Sequence, residues 1–207
     1  MIVVMAKVPL PGQAKTRLVP RLGERGAAHL CAAMTGDVLE TVRRTGLRFK
    51  VAVAGPYDHP WVRSLRLPTE PQAEGDLGAR LAHALREGGV AIGTDAPTLP
   101  AAFLRRAERS TSDVVLAPSF DGGYVLVGCH DAAGLFEGVP WSTPRTYEAQ
   151  VARARALDRS VHTLPFWYDV DEPADLDFLA SHLATLPAAT APRTRAFLES
   201  LHAPPPG

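Results

Sequence analysis

Val90-Ala91-Ile92-Gly93-Thr94-Asp95-Ala96-Pro97-Thr98-Leu99-Pro100 reads as a short buried strand that stops abruptly. Val90, Ala91 and Ile92 supply the continuous apolar run of a parallel strand covered on both faces. Gly93 lets the backbone turn or be approached closely, and Pro97 and Pro100 forbid further pairing. One carboxylate, Asp95, is left at the C-terminal edge, where ligands bind in open α/β sheets. Two readings of Asp95 stay open on these residues. It is a metal or substrate ligand, or it is a cap or Asx-turn residue ahead of a helix near Pro100.

Strands and helices alternate outward from that stretch. Residues 2–6 are a continuously apolar first strand. Ala27, Leu30, Cys31, Met34, Val38, Leu39 and Val42 recur at helical spacing and predict a helix over 24–45, stopped by Gly46. Phe49 to Ala54 is a second strand. Residues 56–72 are irregular, with four prolines and a short helix around Trp61 to Leu65. A glycine-bounded turn, Glu74-Gly75-Asp76-Leu77-Gly78-Ala79-Arg80, opens a helix at about residue 77. After the 90–93 strand come a helix over 101–109 and a strand over 113–118. The turn Ser119-Phe120-Asp121-Gly122-Gly123 precedes the strand Tyr124–Gly128, and Asp-Gly-Gly between strands predicts antiparallel pairing. Ser142 or Thr143 can cap a helix over 144–157, with Pro144 in its first turn. A strand at 160–164, a main helix over 173–184 and a short helix over 193–201 follow. The alternation specifies an α/β domain with a mostly parallel sheet over residues 1–185, then a C-terminal helix and a frayed Pro-rich tail over 186–207.

The composition is globular, with 46% hydrophobic and 21% charged residues. Lys+Arg and Asp+Glu both number 22, which gives no support to a nucleic-acid or membrane-surface partner. No signal peptide or membrane span is read, so the cytoplasm is the expected compartment. Cys31 and Cys129 sit in no ligand-spaced motif and are expected to be small buried hydrophobes. The seven histidines show no metal-ligand spacing.

The chemistry gathers at strand ends. Asp95, Asp121 and the pair Asp169/Asp171 all fall at such ends or at turns. The loop Lys7–Pro20 holds three cations, Lys7, Lys15 and Arg17, and two of the chain's three lysines. It is not a Walker A loop, since Ala14 precedes Lys15-Thr16, yet it has the charge of a phosphate cradle. A solvated basic loop is the competing reading. Mg²⁺ takes one or two carboxylates and completes its shell with waters and substrate phosphates, so these acids and cations together suit a metal-assisted site for a phosphorylated substrate. Asp169 and Asp171 also read as carboxylates favoured by the following helix dipole, as does Asp175. Trp141 and Trp167 are large apolar groups that read as core ahead of stacking platforms.

Six motifs in order carry a resemblance: Met5-Ala6-Lys7-Val8-Pro9-Leu10-Pro11-Gly12 with Lys15-Thr16-Arg17-Leu18; Gly75–Arg80; Gly93–Pro100; Asp121-Gly122-Gly123-Tyr124; Trp141-Ser142-Thr143; and Asp169-Val170-Asp171-Glu172-Pro173-Ala174-Asp175-Leu176. The chain resembles, nearly end to end, the radical-SAM/selenodomain-associated, glycosyltransferase-like transferases. That family looks like a branch of the nucleotide-diphospho-sugar transferase (GT-A) superfamily, kin to the molybdenum-cofactor and phospholactate guanylyltransferases. The resemblance implies a single-domain GT-A fold: a mixed, mostly parallel sheet with one antiparallel strand and helices on both faces. It implies Mg²⁺ or Mn²⁺ on Asp95, with Asp171 as the best second ligand and Asp169 as runner-up. It places a nucleotide over Ala6, Lys7, Gly12, Lys15, Arg17 and Thr94, with Gly75, Asp76, Gly78 and Arg80 near the base. It assigns the second substrate to Asp121, Gly122, Gly123, Tyr124, Trp141, Ser142 and Thr143.

Three functions follow as expectations. The first is nucleotidyl transfer from an NTP to a small phosphorylated or carboxylate acceptor, with Lys15, Arg17 and Asp95 as catalytic residues. The second is glycosyl transfer from a nucleotide sugar, with Asp121 as the base an acceptor hydroxyl needs. The third is a non-catalytic nucleotide-binding protein. The cation-rich first loop and the absence of an Asp-x-Asp at Thr94-Asp95-Ala96-Pro97 place nucleotidyl transfer first. The nucleobase, the sugar and the oligomeric state have no signature in the sequence.

Overall fold

Ile2–Lys7 forms β1. The structure, a computed structural model, describes residues 1–201, so the tail read as frayed over 202–207 lies outside them. Strand β1 has neighbours on both sides, β2 (Phe49–Ala54) and β4 (Gly89–Gly93), each parallel to it. The seven strands run in the order β3-β2-β1-β4-β6-β5-β7, where β3 is Thr69–Pro71, β5 Val114–Pro118, β6 Tyr124–Cys129 and β7 Val161–Thr163. Strand β6 alone is antiparallel to its neighbours β4 and β5. The chain therefore leaves β1 toward β2 on one side and reaches β4 on the other. That reversal makes a crevice beyond the C-terminal ends of β1 and β4, the place where open α/β sheets bind ligands.

Both faces of the sheet are covered, which explains the apolar runs. Successive side chains of a strand point to opposite faces. Ile2, Val4 and Ala6 join a core that includes Val38, Leu39 and Val42 of α1 (Val19–Arg44) and Phe103, Leu104 and Ala107 of α4 (Ala101–Glu108). Val3 joins the opposite core, with Leu81 and Ala84 of α3 (Leu77–Ala84) and Ala154 of α5 (Thr146–Ala156). A third cluster seats α6 (Pro173–Thr185) and α7 (Pro192–Ser200) against α1, through Leu30, Met34, Leu179, Leu183 and Leu198. The short helix α2 is Pro60–Ser64. Asp37 of α1, 1% exposed, accepts the backbone N–H groups of Arg193 at 3.1 Å and Thr194 at 2.8 Å and fixes the start of α7.

Several local expectations are corrected. The helix read over 24–45 is preceded by one more turn from Val19, set off at Gly23 by a left-handed φ of 69°. Helix α5 begins at Thr146, not 144. Neither Ser142 nor Thr143 caps it: Ser142 has φ 57°, and Thr146 Oγ1 folds back to the Pro140 and Thr143 carbonyls at 2.7 and 2.9 Å. The irregular 56–72 segment contains β3, and the first loop contains a 3-10 turn at Thr16–Leu18. The Asp-Gly-Gly turn behaves as read. Gly122 has φ 86°, and a Cβ there would lie 2.1 Å from the Pro144 carbonyl, so only glycine fits. Both cysteines are free and buried, and no described helix is long and apolar enough to cross a membrane.

Candidate functional site

The crevice over β1 and β4 is a cleft of about 490 Å³. Its floor is the C-terminal edge of the two strands: Ala6 and Lys7 from β1, then Ile92, Gly93, Thr94 and Asp95 from β4 and its following turn. A Cβ on Gly93 would meet nothing nearer than the Asp95 nitrogen at 4.0 Å, so the glycine leaves open floor for a ligand rather than making a turn. The first loop forms one wall with Lys15 and Arg17, and α3 forms another with Leu77, Arg80 and Leu81. Among the described residues, Lys7 Nζ donates to the Gln13 carbonyl at 2.7 Å and Arg80 Nε to the Gly75 carbonyl at 3.1 Å, and neither meets a carboxylate. Arg17 is well exposed and stands 3.7 Å from Glu172. Lys7, Arg17 and Arg80 therefore present positive charge to the cleft.

Lys15 is the centre of the arrangement. Its Nζ lies 2.6 Å from Asp95 Oδ1 and 2.7 Å from Asp171 Oδ1, and donates to the Val170 carbonyl at 2.6 Å. The lysine side chain is 6% exposed, against 45% for Asp95 and 39% for Asp171. Burial alone would lower its pKa, but the two carboxylates more than offset this and hold it well above the ordinary lysine range. The backbone of Lys15 is left-handed, with φ 50° and ψ 46°, a conformation that costs a non-glycine residue roughly 1–2 kcal/mol. Three short contacts to one ammonium hold it there.

The closing segment is stitched to the β4 turn. Val170 N–H donates to the Asp95 carbonyl at 2.9 Å. Thr98 Oγ1 donates to the Tyr168 hydroxyl at 2.8 Å, and that hydroxyl also meets His182 Nδ1 at 2.8 Å. These bonds bring Asp171 beside Asp95. Asp95 caps no helix, since α4 has Pro100 at its N-cap and no side-chain cap. Asp175 does serve as a helix-terminal carboxylate and accepts from Asp171 N at 2.9 Å and Glu172 N at 2.7 Å. Asp169 points instead into a second cavity, of about 380 Å³, with Asp121. Burial pushes its carboxyl up to about 7, and the Asp121 and Asp171 charges add to the effect.

Mg²⁺ and Mn²⁺ favour hard oxygen donors. Asp95 Oδ1, Asp171 Oδ1 and the Val170 carbonyl converge on one cationic centre and have that chemistry. No group of three or more His, Cys, Asp or Glu is arranged to hold a metal ion by itself among the described residues. A divalent ion would rest on the two carboxylates and on substrate oxygens, and Lys15 would have to withdraw to admit it.

The other sequence candidates divide. Ala6, Lys7, Lys15, Arg17, Arg80, Thr94, Asp95, Tyr124 and Asp171 line the first cleft. Gly12 and Gly75 shape their loops with φ 72° and 102°, and Asp76 caps α3 through Ala79 N at 2.9 Å. A Cβ on Gly78 would lie 2.8 Å from Trp141 Nε1. Trp141 thus packs behind α3 with Tyr124 and Phe136, the core alternative, and it, Ser142 and Thr143 line neither cavity. Gly122 and Gly123 build the turn that aims Asp121. The sequence reading missed Gln72 and Cys31 in the first cleft, and Phe120, Tyr168 and Phe178 around the second. Gln72 Nε2 donates to the Ala6 and Ala52 carbonyls at 3.1 and 2.9 Å. Burial, with Asp95 nearby, pushes the Cys31 thiol up to about 11.

A family profile described as "Uncharacterized protein conserved in bacteria (DUF2064)" matches residues 38–143. No curated protein sequence matches the chain significantly. Among solved structures, a protein from Desulfovibrio desulfuricans G20, provisionally described as a nucleotide-diphospho-sugar transferase, superposes with a TM-score of 0.89 at 28% identity, over 97% of this chain and 94% of that one. The CMP:2-keto-3-deoxy-manno-octonic acid synthetase complexed with CTP superposes at 0.56 and 14% identity, over 89% and 98% of the two chains. The inositol-1-phosphate CTP transferase from T. maritima does so at 0.56 and 14%, over 96% of each. At 14% identity the likeness is one of fold. The fold is that of the nucleotide-diphospho-sugar transferases, as the motifs imply.

Proposed function

The chain belongs to the family described as "Uncharacterized protein conserved in bacteria (DUF2064)", and from that premise we propose that it is a metal-dependent transferase whose donor is a nucleotide bound over the ends of β1 and β4. The observation that carries the reading is the pairing, in one cleft, of phosphate-binding cations with two carboxylates that converge on a single cationic point. Lys7, Arg17 and Arg80 bind phosphate oxygens, and Arg80 with Leu77 places the base toward α3. Asp95 and Asp171 would hold a divalent ion, which would supply charge neutralisation of the phosphate oxygens. Lys15, released from the carboxylates, donates to a phosphate. Membership of the radical-SAM/selenodomain-associated branch is part of this reading and rests on the six motifs.

Nucleotidyl transfer from an NTP is the first reaction. Three cations that face the cleft suit a triphosphate better than the smaller charge of a diphosphate sugar. Glycosyl transfer is the second reading, favoured by the description of the Desulfovibrio relative. Titration calorimetry of NTPs and nucleotide sugars, each with Mg²⁺ or Mn²⁺, tests the proposal. A divalent-dependent nucleotide complex is expected. Arg17→Ala should weaken NTP binding roughly tenfold or more, as for one lost charge-assisted hydrogen bond, and nucleotide-sugar binding less. Failure of every nucleotide to bind overturns the donor reading, and equal effects of Arg17→Ala on both ligand types overturn the nucleotidyl reading.

A further inference from the structure

The second cavity adjoins the donor cleft and shares Arg17 and Asp171 with it. Its charge is one-sided. Asp121, Asp169, Asp171, Glu172 and Asp175 face one guanidinium, Arg17. Asp171 is neutralised by Lys15 here, and would be by the divalent ion in the donor complex, and Asp175 is engaged by two backbone N–H groups. Among the described residues, Asp121, Asp169 and Glu172 have no cation beside them except Arg17, 3.7 Å from Glu172; Asp121 Oδ1 accepts from the Gly123 N–H and the Ser119 hydroxyl, and burial favours the neutral form of Asp169. The rim is aromatic. Phe120 is 74% exposed and Phe178 53%, and Phe120 stacks on Phe166, itself 56% exposed, at 5.9 Å between centroids. These phenyl rings are largely exposed; Phe120 and Phe178 line one opening, and Phe166 backs Phe120. Exposed apolar groups that cluster beside a polar cavity mark a binding surface.

We propose that this cavity seats the acceptor, and that the acceptor is a hydroxyl compound without negative charge that lays an apolar ring face on Phe120 and Phe178. The inference rests on the donor reading of the first cleft. It replaces the phosphorylated or carboxylate acceptor expected from the sequence, because an anion would enter among five acidic groups set against one guanidinium. Hydroxyls, in contrast, donate to carboxylates. Asp121 is held in place to accept one, since its Oδ1 is fixed by the Gly123 N–H at 2.9 Å and by the Ser119 hydroxyl. In the transfer, the acceptor oxygen bonds to the electrophilic centre of the donor and that centre's bond to its phosphate leaving group breaks. The hydroxyl proton passes to Asp121.

The test uses the full chain with saturating Mg²⁺ and a non-hydrolysable NTP analogue, and two aromatic probes. Phenyl β-D-glucopyranoside is neutral, and phenyl phosphate is anionic. Calorimetry should show the glucoside bound at least tenfold more tightly than the phosphate. Phe120→Ala and Phe178→Ala, both on exposed side chains, should each weaken the glucoside several-fold and leave nucleotide affinity in place. The double variant Asp121→Asn/Glu172→Gln should raise phenyl phosphate affinity about tenfold. Phenyl phosphate binding as tightly as the glucoside, no glucoside binding, or indifference to both phenylalanine substitutions would overturn the acceptor class. Nucleotide affinity, read in the same samples, reports separately on the donor site.

Discussion

Lys15→Met separates the roles of one ammonium. In the wild-type chain Lys15 Nζ neutralises Asp95 and Asp171 from 2.6 and 2.7 Å. Methionine keeps the length and the apolar stem but leaves the two carboxylates facing each other. Removing one partner of a fully buried ion pair costs about 3–5 kcal/mol. Here the lysine is buried but both carboxylates keep a large fraction of their surface in water, so screening cuts the cost to about 2 kcal/mol. The left-handed backbone at position 15 is common to both chains and cancels. For a domain of this size, about 2 kcal/mol lowers the melting temperature by roughly 4–8 °C. A divalent ion should reverse the loss. Binding at a hundred times its Kd adds about 2.7 kcal/mol, so saturating MnCl₂ should bring the variant back to the wild-type melting temperature or above it. Nucleotide-free wild type should respond less, since Mn²⁺ must first displace the ammonium. Differential scanning fluorimetry in EDTA and in MnCl₂ measures both arms. Equal melting temperatures in EDTA, or an equal response of both chains to Mn²⁺, would refute the reasoning.

Three further substitutions probe other parts of the molecule. Asp95→Ala should fold normally, because Val170 N–H bonds to the backbone carbonyl of residue 95 and not to its carboxylate; its Mg²⁺-dependent gain in nucleotide affinity, read by calorimetry, should vanish. Asp37→Ala strips the acceptor from two backbone N–H groups at the start of α7, and should lower the unfolding free energy by about 2–4 kcal/mol. A urea midpoint within error of wild type would count against that anchor. Asp169 has its folded pKa raised to about 7 from 3.8. The folded state thus binds the extra proton, and stability from this group falls as pH rises from about 4 to 7. Asp169→Asn should be more stable than wild type at pH 8, with the gap narrowing toward pH 5, as followed by denaturation at each pH.

The sheet was legible because its physics is local. Ile2–Ala6 and Val90–Ile92 read as apolar runs since both faces of each strand are covered, and Asp121-Gly122-Gly123 announced the one antiparallel strand through turn chemistry. Strand β3 escaped because it is three residues long and ends on Pro71, which an edge tolerates and a sequence pattern does not announce. The start of α5 was misplaced because Ser142 and Thr143 looked like caps, while the Thr146 hydroxyl bonded backward to Pro140.

The site shows a sharper division. Lys7, Arg17, Asp95 and Asp171 could each be nominated from residue type and position. What could not be read was which of them pair. Lys15 stands in a loop beside two other cations, and residue type gives it the same role as its neighbours. Its partner Asp171 lies 156 residues away. The bonds from Val170 to Asp95, from Thr98 to Tyr168 and from Trp167 N–H to the Pro118 carbonyl bring the closing segment within its reach. Once that segment docks, a lysine that would otherwise serve a phosphate becomes the counter-ion of the candidate metal ligands. The second cavity arises from the same docking. Phe120 and Asp121 sit on the β5–β6 turn and Asp169 and Phe178 on the closing segment and α6, so neither half forms a seat alone. An exposed phenylalanine inside the polar turn Ser119-Phe120-Asp121 was the one local sign, since a turn gains nothing from an apolar ring. Its ring stacks on Phe166 with its other face in solvent, and the proposed acceptor is what that open face and the carboxylates beside it would receive.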